Sequence, residues 1–275
     1  MLSGQGAAYS RFIFALPWAI IYCFVVQHLT ESIWPSPSVK FWTYCLLGAV
    51  SQILATVALL KAFNFRSFAV ATVISKLEIL IVALLGFFLL GDVLTAIEVF
   101  GVLLCVVGLF ALSAGQQQLS ASSLLSGLAN PATGYALLAA LGLGASVIFF
   151  RGASLSLEHP NVLMSAAFAL MMALVLQTVL MGGWLALREP GQILAVVKSW
   201  RWSSLVGVSG MLASACWFTA FTLHNASHVR ALGQVELLFS FLVTSRVFRE
   251  DVSALEYAGC AMVVAGIMLL LLIGV

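Results

Sequence analysis

Charge is what this sequence lacks. Of its 275 residues only 8% are Asp, Glu, Lys or Arg, whereas 63% are hydrophobic. A soluble surface needs roughly a quarter of its residues charged, so a water-soluble domain is excluded. The net charge of +2 supplies no basic field, and no nucleic-acid partner is expected. Cysteine chemistry is missing too. Cys23, Cys45, Cys105, Cys216 and Cys260 lie in or near apolar runs without CxxC or His-paired spacing, and read as small buried hydrophobes. His224 and His228 stand four apart in a short connector with no third ligand in reach, so no metal is expected. There is no GxSxG, HExxH or paired catalytic Asp, which disfavours an intramembrane enzyme, and no cofactor is implied. A cleavable signal is also lacking. The run Tyr9–Gln27 is long enough to span and has no A-x-A-like exit, so it reads as a membrane helix.

What the chain does have is apolar length. About 30 Å of hydrocarbon takes about 20 residues of helix. Nine segments meet that measure: about 8–28, 41–62, 67–90, 95–114, 132–153, 161–187, 203–223, 229–248 and 254–275. None alternates with period two, so helices are expected rather than a barrel. The connectors carry turn signals such as Trp34-Pro-Ser-Pro-Ser, Asn130-Pro, His159-Pro and Arg188-Glu-Pro-Gly. Trp34, Trp42, Trp184, Trp200 and Trp202 fall at segment edges, as an aromatic belt requires. The fold class is therefore an all-α polytopic membrane protein, with the lipid bilayer as its first partner.

The chain also resembles itself. Shifted by 158, residues 51–112 overlay 209–270 without a gap, so that Ser51 meets Ser209 and Ala62-Phe63 meets Ala220-Phe221. Glu78 meets Glu236 and Glu98 meets Glu256, two coincidences drawn from only eight Glu in the chain. Asp92 stands opposite Glu250 in the same register. The second to fourth helices thus match the seventh to ninth. An odd displacement of five makes equivalent helices cross the membrane in opposite directions, which is an inverted repeat. Gly101 and Gly108, with Gly259 and Gly266, form a small-residue stripe suited to close helix packing or to a homodimer seam.

Two stretches, "LLGDVLTAIEVFGVLLCVVGLFAL" (89–112) and "LGQVELLFSFLVTSRVFREDVSALEYAGCAMVVAGIMLLL" (232–271), share an order of parts: apolar helix, short acidic turn, helix with glycines seven apart. In this the sequence resembles the EamA-like proteins of the drug/metabolite transporter superfamily, and "YSRFIFALPWAI" (9–20) resembles the start of that family's second helix. The resemblance implies two repeats of five helices. Against that pattern the first helix is absent, giving 4+5: residues 1–114 as the first repeat, 115–131 as a polar linker and 132–275 as the second repeat. It also implies a carrier of small organic metabolites or amphipathic compounds, most simply an exporter in the inner or plasma membrane. The rival is a non-transporting membrane subunit or scaffold.

The candidate substrate-binding residues are polar groups where every neighbour is apolar. An ionised side chain at the centre of a spanning helix costs about 2.5–3.5 kcal/mol on insertion scales, and persists where water, a partner or a ligand offsets it. Lys76 and Glu78 lie midway along the third segment, and Gln234 and Glu236 occupy the matching depth of the eighth. Symmetry predicts Lys76 toward Glu236 and Gln234 near Glu78, lining a polar cavity with Gln52, while Arg11 either guards its mouth or snorkels to the headgroups. Asp92 and the Arg249-Glu250-Asp251 turn read as interfacial caps, and Glu98 and Glu256, three residues beyond Thr95 and Ser253, suit capping boxes.

Overall fold

The computed structural model describes residues 3–63, 74–116, 131–243 and 253–273. The Arg249-Glu250-Asp251 turn and most of the 115–131 linker lie outside the described residues. The described elements are helices throughout: α1 (Gly4–Thr30), α2 (Val39–Phe63), α3 (Glu78–Leu85, ending in a π-turn over Gly86–Leu90), α4 (Ala96–Gln116), α5 (Pro131–Leu155), α6 (Val162–Arg188), α7 (Pro190–Lys198), α8 (Trp200–Leu223), α9 (Ala226–Gly233), α10 (Val235–Val243) and α11 (Ala254–Ile273). Seven of them, α1, α2, α4, α5, α6, α8 and α11, are long and apolar enough to cross a membrane.

Several of the helices begin where side-chain chemistry dictates. The Ser3 hydroxyl accepts from Gly6 N–H at 3.1 Å to start α1, and Asn161 Oδ1 accepts from Met164 N–H at 3.1 Å to start α6. Pro131 and Pro190 occupy the first positions of α5 and α7, where a missing N–H costs nothing. Replacing Asn161 with Ala is expected to destabilise the protein by about 1 kcal/mol, read as an earlier denaturation midpoint in detergent, because one buried helix start loses its acceptor.

The chain divides into two compact units, each drawing on both halves of the sequence. The first contains Met1–Val57 and Ala145–His224. In it α1 packs against both α6 and α8. The α1–α8 approach is backbone-close: a Cβ at Gly207 would stand 2.7 Å from the Phe14 carbonyl oxygen. Phe41, Cys45, Phe150, Met164 and Phe168 fill the interior, with Cys23 fully buried among them.

The second unit contains Ala58–Gly144 and Asn225–Val275. Its spine is the pair α4 and α11, two equivalent helices of the duplication. A Cβ at Gly108 would lie 2.8 Å from both Gly259 O and Val263 N, and one at Gly101 would lie 3.4 Å from Gly266 O. Low numbers meet high ones, so the two copies run antiparallel. Cys105 Sγ points at the Val263 carbonyl across the seam at 3.8 Å. Both helices open on a capping box, as expected. Thr95 N–H donates to Glu98 Oε2 at 2.6 Å and Glu98 N–H to Thr95 Oγ1 at 3.3 Å. Ser253 N–H donates to Glu256 Oε1 at 3.0 Å and Glu256 N–H to Ser253 Oγ at 3.3 Å.

The structure departs from the sequence reading at the third and eighth segments. Continuous helices were expected over 67–90 and 229–248. Instead the helix is interrupted by a tightened turn at Lys76-Leu77, where Leu77 N–H reaches back only three residues to Ile74 O at 3.0 Å. The same happens at Gln234, whose N–H reaches Ala231 O at 3.1 Å. Lys76 and Gln234 are equivalent in the duplication, so both copies break at the same place. Apolar periodicity carries no mark of this, because the flanking residues are hydrophobic on both sides of each break. The short helix α7 was also read as a plain connector; Pro190 at its first turn starts it.

Candidate functional site

The helix breaks set out the polar groups of the second unit. Short α9 presents a series of side chains to carboxylates carried by residues 78–98. Arg230 Nη2 meets Glu78 Oε1 at 2.9 Å, with both side chains largely shielded. His228 Nε2 stands 3.3 Å from Glu98 Oε1. Asn225, with its amide turned to donate, reaches the two Asp92 oxygens at 2.8 and 2.6 Å. Gln234 closes the end of α9 by donating from Nε2 to the Arg230 carbonyl at 3.0 Å. Ser227, Arg230 and Gln234 are spaced three and four apart and share one face of the helix. Ser227 Oγ and Gln234 Oε1 are buried there with no hydrogen-bond partner among the described residues, and an orphaned buried polar atom costs about 1–3 kcal/mol.

The pairs expected from symmetry are not the pairs that form. Glu78 is buried and meets Arg230 rather than Gln234. Glu236 is exposed at the start of α10, Lys76 is half-buried at its break, and among the described residues no ion pair joins them. The breaks are the physical reason. Each is a tightened turn with i→i−3 bonding between Lys76 and Glu78, and between Gln234 and Glu236, which rotates the side chains beyond it away from where a regular α-helix would place them. Asp92, expected to act only as a cap, is engaged by Asn225.

In the first unit Arg11 and Gln52 line one crevice, apart from Lys76, Glu78, Gln234 and Glu236. Its polar wall adds Gln177 and Ser214, and its apolar wall includes Phe12, Leu174 and Phe218. Gln177 is 2% exposed, and its Nε2 donates to Gln52 Oε1. The space is about 20 Å³, room for about one water. A wider cavity of about 850 Å³ opens between the 30–36 and 157–163 connectors of the same unit, and shares no lining residue with the crevice. There His159 Nε2 reaches the Ile33 carbonyl at 2.9 Å, tying the two connectors together. Its acidic groups, Glu31 at the end of α1 and Glu158 in the connector after α5, are exposed and have left-handed backbone, each at φ 48°.

Comparison with known proteins gives these groups a setting. The model of the EamA-like transporter family matches residues 2–114 and again 131–272. The chain belongs to the EamA-like transporter family. It is thus a multi-pass membrane transporter, and the two matches cover the two halves related by the shift of 158. A solved structure described as "Crystal structure of protein" aligns over 98% of this chain and 89% of its own length, with a TM-score of 0.68 at 17% identity. That likeness speaks for the fold alone. No curated protein matches the chain.

Two residues of this EamA-like chain escaped the sequence reading. Gln177 carried the same signal that singled out Gln52, one amide inside the run Met171–Gly182, and was passed over. Arg230, at the start of the segment 229–248, was not singled out at all. His228 does have an acidic neighbour, Glu98, but among the described residues no group of three metal-ligating side chains converges.

Proposed function

We propose that this protein is a secondary carrier, and specifically an exporter, that moves small organic metabolites or amphipathic compounds out through the inner or plasma membrane. Two inverted sequence repeats, 1–114 and 132–275, would exchange conformations to expose solute alternately to each side, with nine spanning segments completed by the two interrupted helices. The observation that carries this reading is the paired break. The helical ladder tightens from i→i−4 to i→i−3 bonds at equivalent positions of the two copies, around Lys76 and Gln234, each two residues before a glutamate. Irregular backbone inside an apolar segment is costly unless it meets water or ligand, and discontinuous helices of this kind carry solute and coupling-ion sites in carriers. Glu78, Glu236, Lys76 and Gln234 in one unit, with Gln52 and Arg11 in the other, are the groups proposed to meet the solute or its coupling proton during the cycle.

The test is an untargeted comparison of external metabolites from cells expressing the wild type, Glu78→Gln or Glu236→Gln at matched membrane levels. At least one small organic solute is expected to accumulate outside only with the wild type. Identical profiles for wild type and both variants would favour the scaffold reading instead.

A further inference from the structure

We propose that Arg11, Gln52, Gln177 and Ser214 form an oxyanion subsite that takes the carboxylate end of an amphipathic solute. This assignment deepens the carrier reading and names the substrate class that it leaves open.

The crevice carries an unbalanced charge. Arg11 lies about 10 Å along α1 from its first residue, well inside a spanning helix. A guanidinium cannot shed its proton, so the charge stays. Among the described residues no carboxylate forms an ion pair with it, and no aromatic ring lies under it. The acidic groups of its own unit, Glu31, Glu158 and Glu189, sit at helix ends, and Glu189 accepts instead from the Ser3 hydroxyl at 3.0 Å. Arg11 Nε lies against α8, 3.9 Å from where a Cβ would stand at Gly210. The missing side chain there leaves the guanidinium room beside the crevice.

Behind it the remaining groups supply donors. The Gln52–Gln177 bond uses one amide NH2 and one amide oxygen. Whichever way the two amides are turned, a second NH2 remains unspent, and among the described residues neither side-chain amide has another hydrogen bond. The Ser214 hydroxyl adds a third donor to the lining. One guanidinium, one NH2 and one hydroxyl with no carboxylate nearby select an oxyanion over a cation. The planar fork of Arg matches a carboxylate with two parallel bonds. The apolar wall selects for a body that is not itself polar. Burial runs inward from exposed Arg11, through half-buried Gln52 and Ser214, to buried Gln177, so charge stands at the mouth and amides at the floor. At about 20 Å³ the crevice is closed to anything larger than water, and binding requires α1 and α8 to part.

Two measurements on the purified full chain in maltoside detergent test this. The first places Ser214→Cys in a Cys216→Ser/Cys260→Ser background and compares modification by the sulfonatoethyl and trimethylammonioethyl methanethiosulfonates, each normalised to its rate with free 2-mercaptoethanol. A preference of about tenfold or more for the anionic reagent is expected, lost in Arg11→Gln and kept in Arg11→Lys. No preference, a preference indifferent to Arg11, or no reaction with either reagent would overturn the assignment. The second compares thermal midpoints in 4-phenylbutyrate and in its uncharged isostere 4-phenylbutyramide. The carboxylate is expected to raise the midpoint of the wild type and not that of Arg11→Gln, and the amide to leave both unchanged. Equal shifts from the two compounds, or a shift from added phosphatidylglycerol with none from phenylbutyrate, would overturn it; the latter outcome would give Arg11 to a lipid phosphate. Neither measurement depends on transport. A chain that binds phenylbutyrate through Arg11 and exports nothing would remove the carrier reading and leave the subsite standing.

Discussion

Arg230→Leu is expected to cost about 3–5 kcal/mol of stability, because it leaves a shielded carboxylate without its counter-charge. Glu78 is 8% exposed and its Oε1 is 2.9 Å from Arg230 Nη2. With the guanidinium gone, Glu78 must take up a proton, draw in water or pull its helix away from α9. A denaturant titration of the micellar protein, followed by tryptophan fluorescence, would report the loss as an earlier midpoint. The double variant Glu78→Leu/Arg230→Leu is expected to recover most of it, since an apolar pair of similar volume often replaces a buried ion pair at little cost. Single and double variants equally unstable would show that the damage comes from another contact of Arg230.

The second large effect is expected at the seam of α4 and α11. A Cβ at Gly108 would stand 2.8 Å from two backbone atoms, Gly259 O and Val263 N. Backbone on a packed helix cannot rotate aside as a flexible side chain can, so the helices must separate along the whole contact. Gly108→Leu is expected to destabilise by about 3 kcal/mol or more, at the upper end of overpacking costs. Gly134 in α5 provides the control, because a Cβ there would meet nothing within 4 Å. Gly134→Ala should stabilise by about 0.5–1 kcal/mol through helix propensity alone. If Gly108→Leu behaves like Gly134→Ala, the seam is looser than described.

Most of the architecture was legible in the sequence because lipid imposes a simple rule. A helix that must satisfy its own backbone announces itself by apolar length, and α1, α2, α4, α5, α6, α8 and α11 all fall within four residues of their expected bounds. The capping boxes at Thr95–Glu98 and Ser253–Glu256 were legible for the same local reason, being written within four residues. The offset of 158 was readable, and the antiparallel meeting of Gly108 with Gly259 agrees with the inverted crossing deduced from it. What could not be read was the partner of Glu78. Sequence symmetry pointed to equivalent positions, but contact depends on where α9 turns, and that is set by the break at Gln234. No periodic pattern encodes such a break. Gln177 is a different case. Its amide was visible in an apolar run, and only its juxtaposition with Gln52 from another helix gives it meaning.

The α4–α11 contact is self-complementary, with Gly101 of one copy against the counterpart of Gly108 in the other, and the reverse. A surface with that property would join two unlinked half-length chains just as well, provided one had entered the bilayer upside down relative to its mate. Covalent linkage removes the sorting problem: every molecule receives one copy of each orientation, and each is then free to diverge, as lysine in one and glutamine in the other at the shared break already attest.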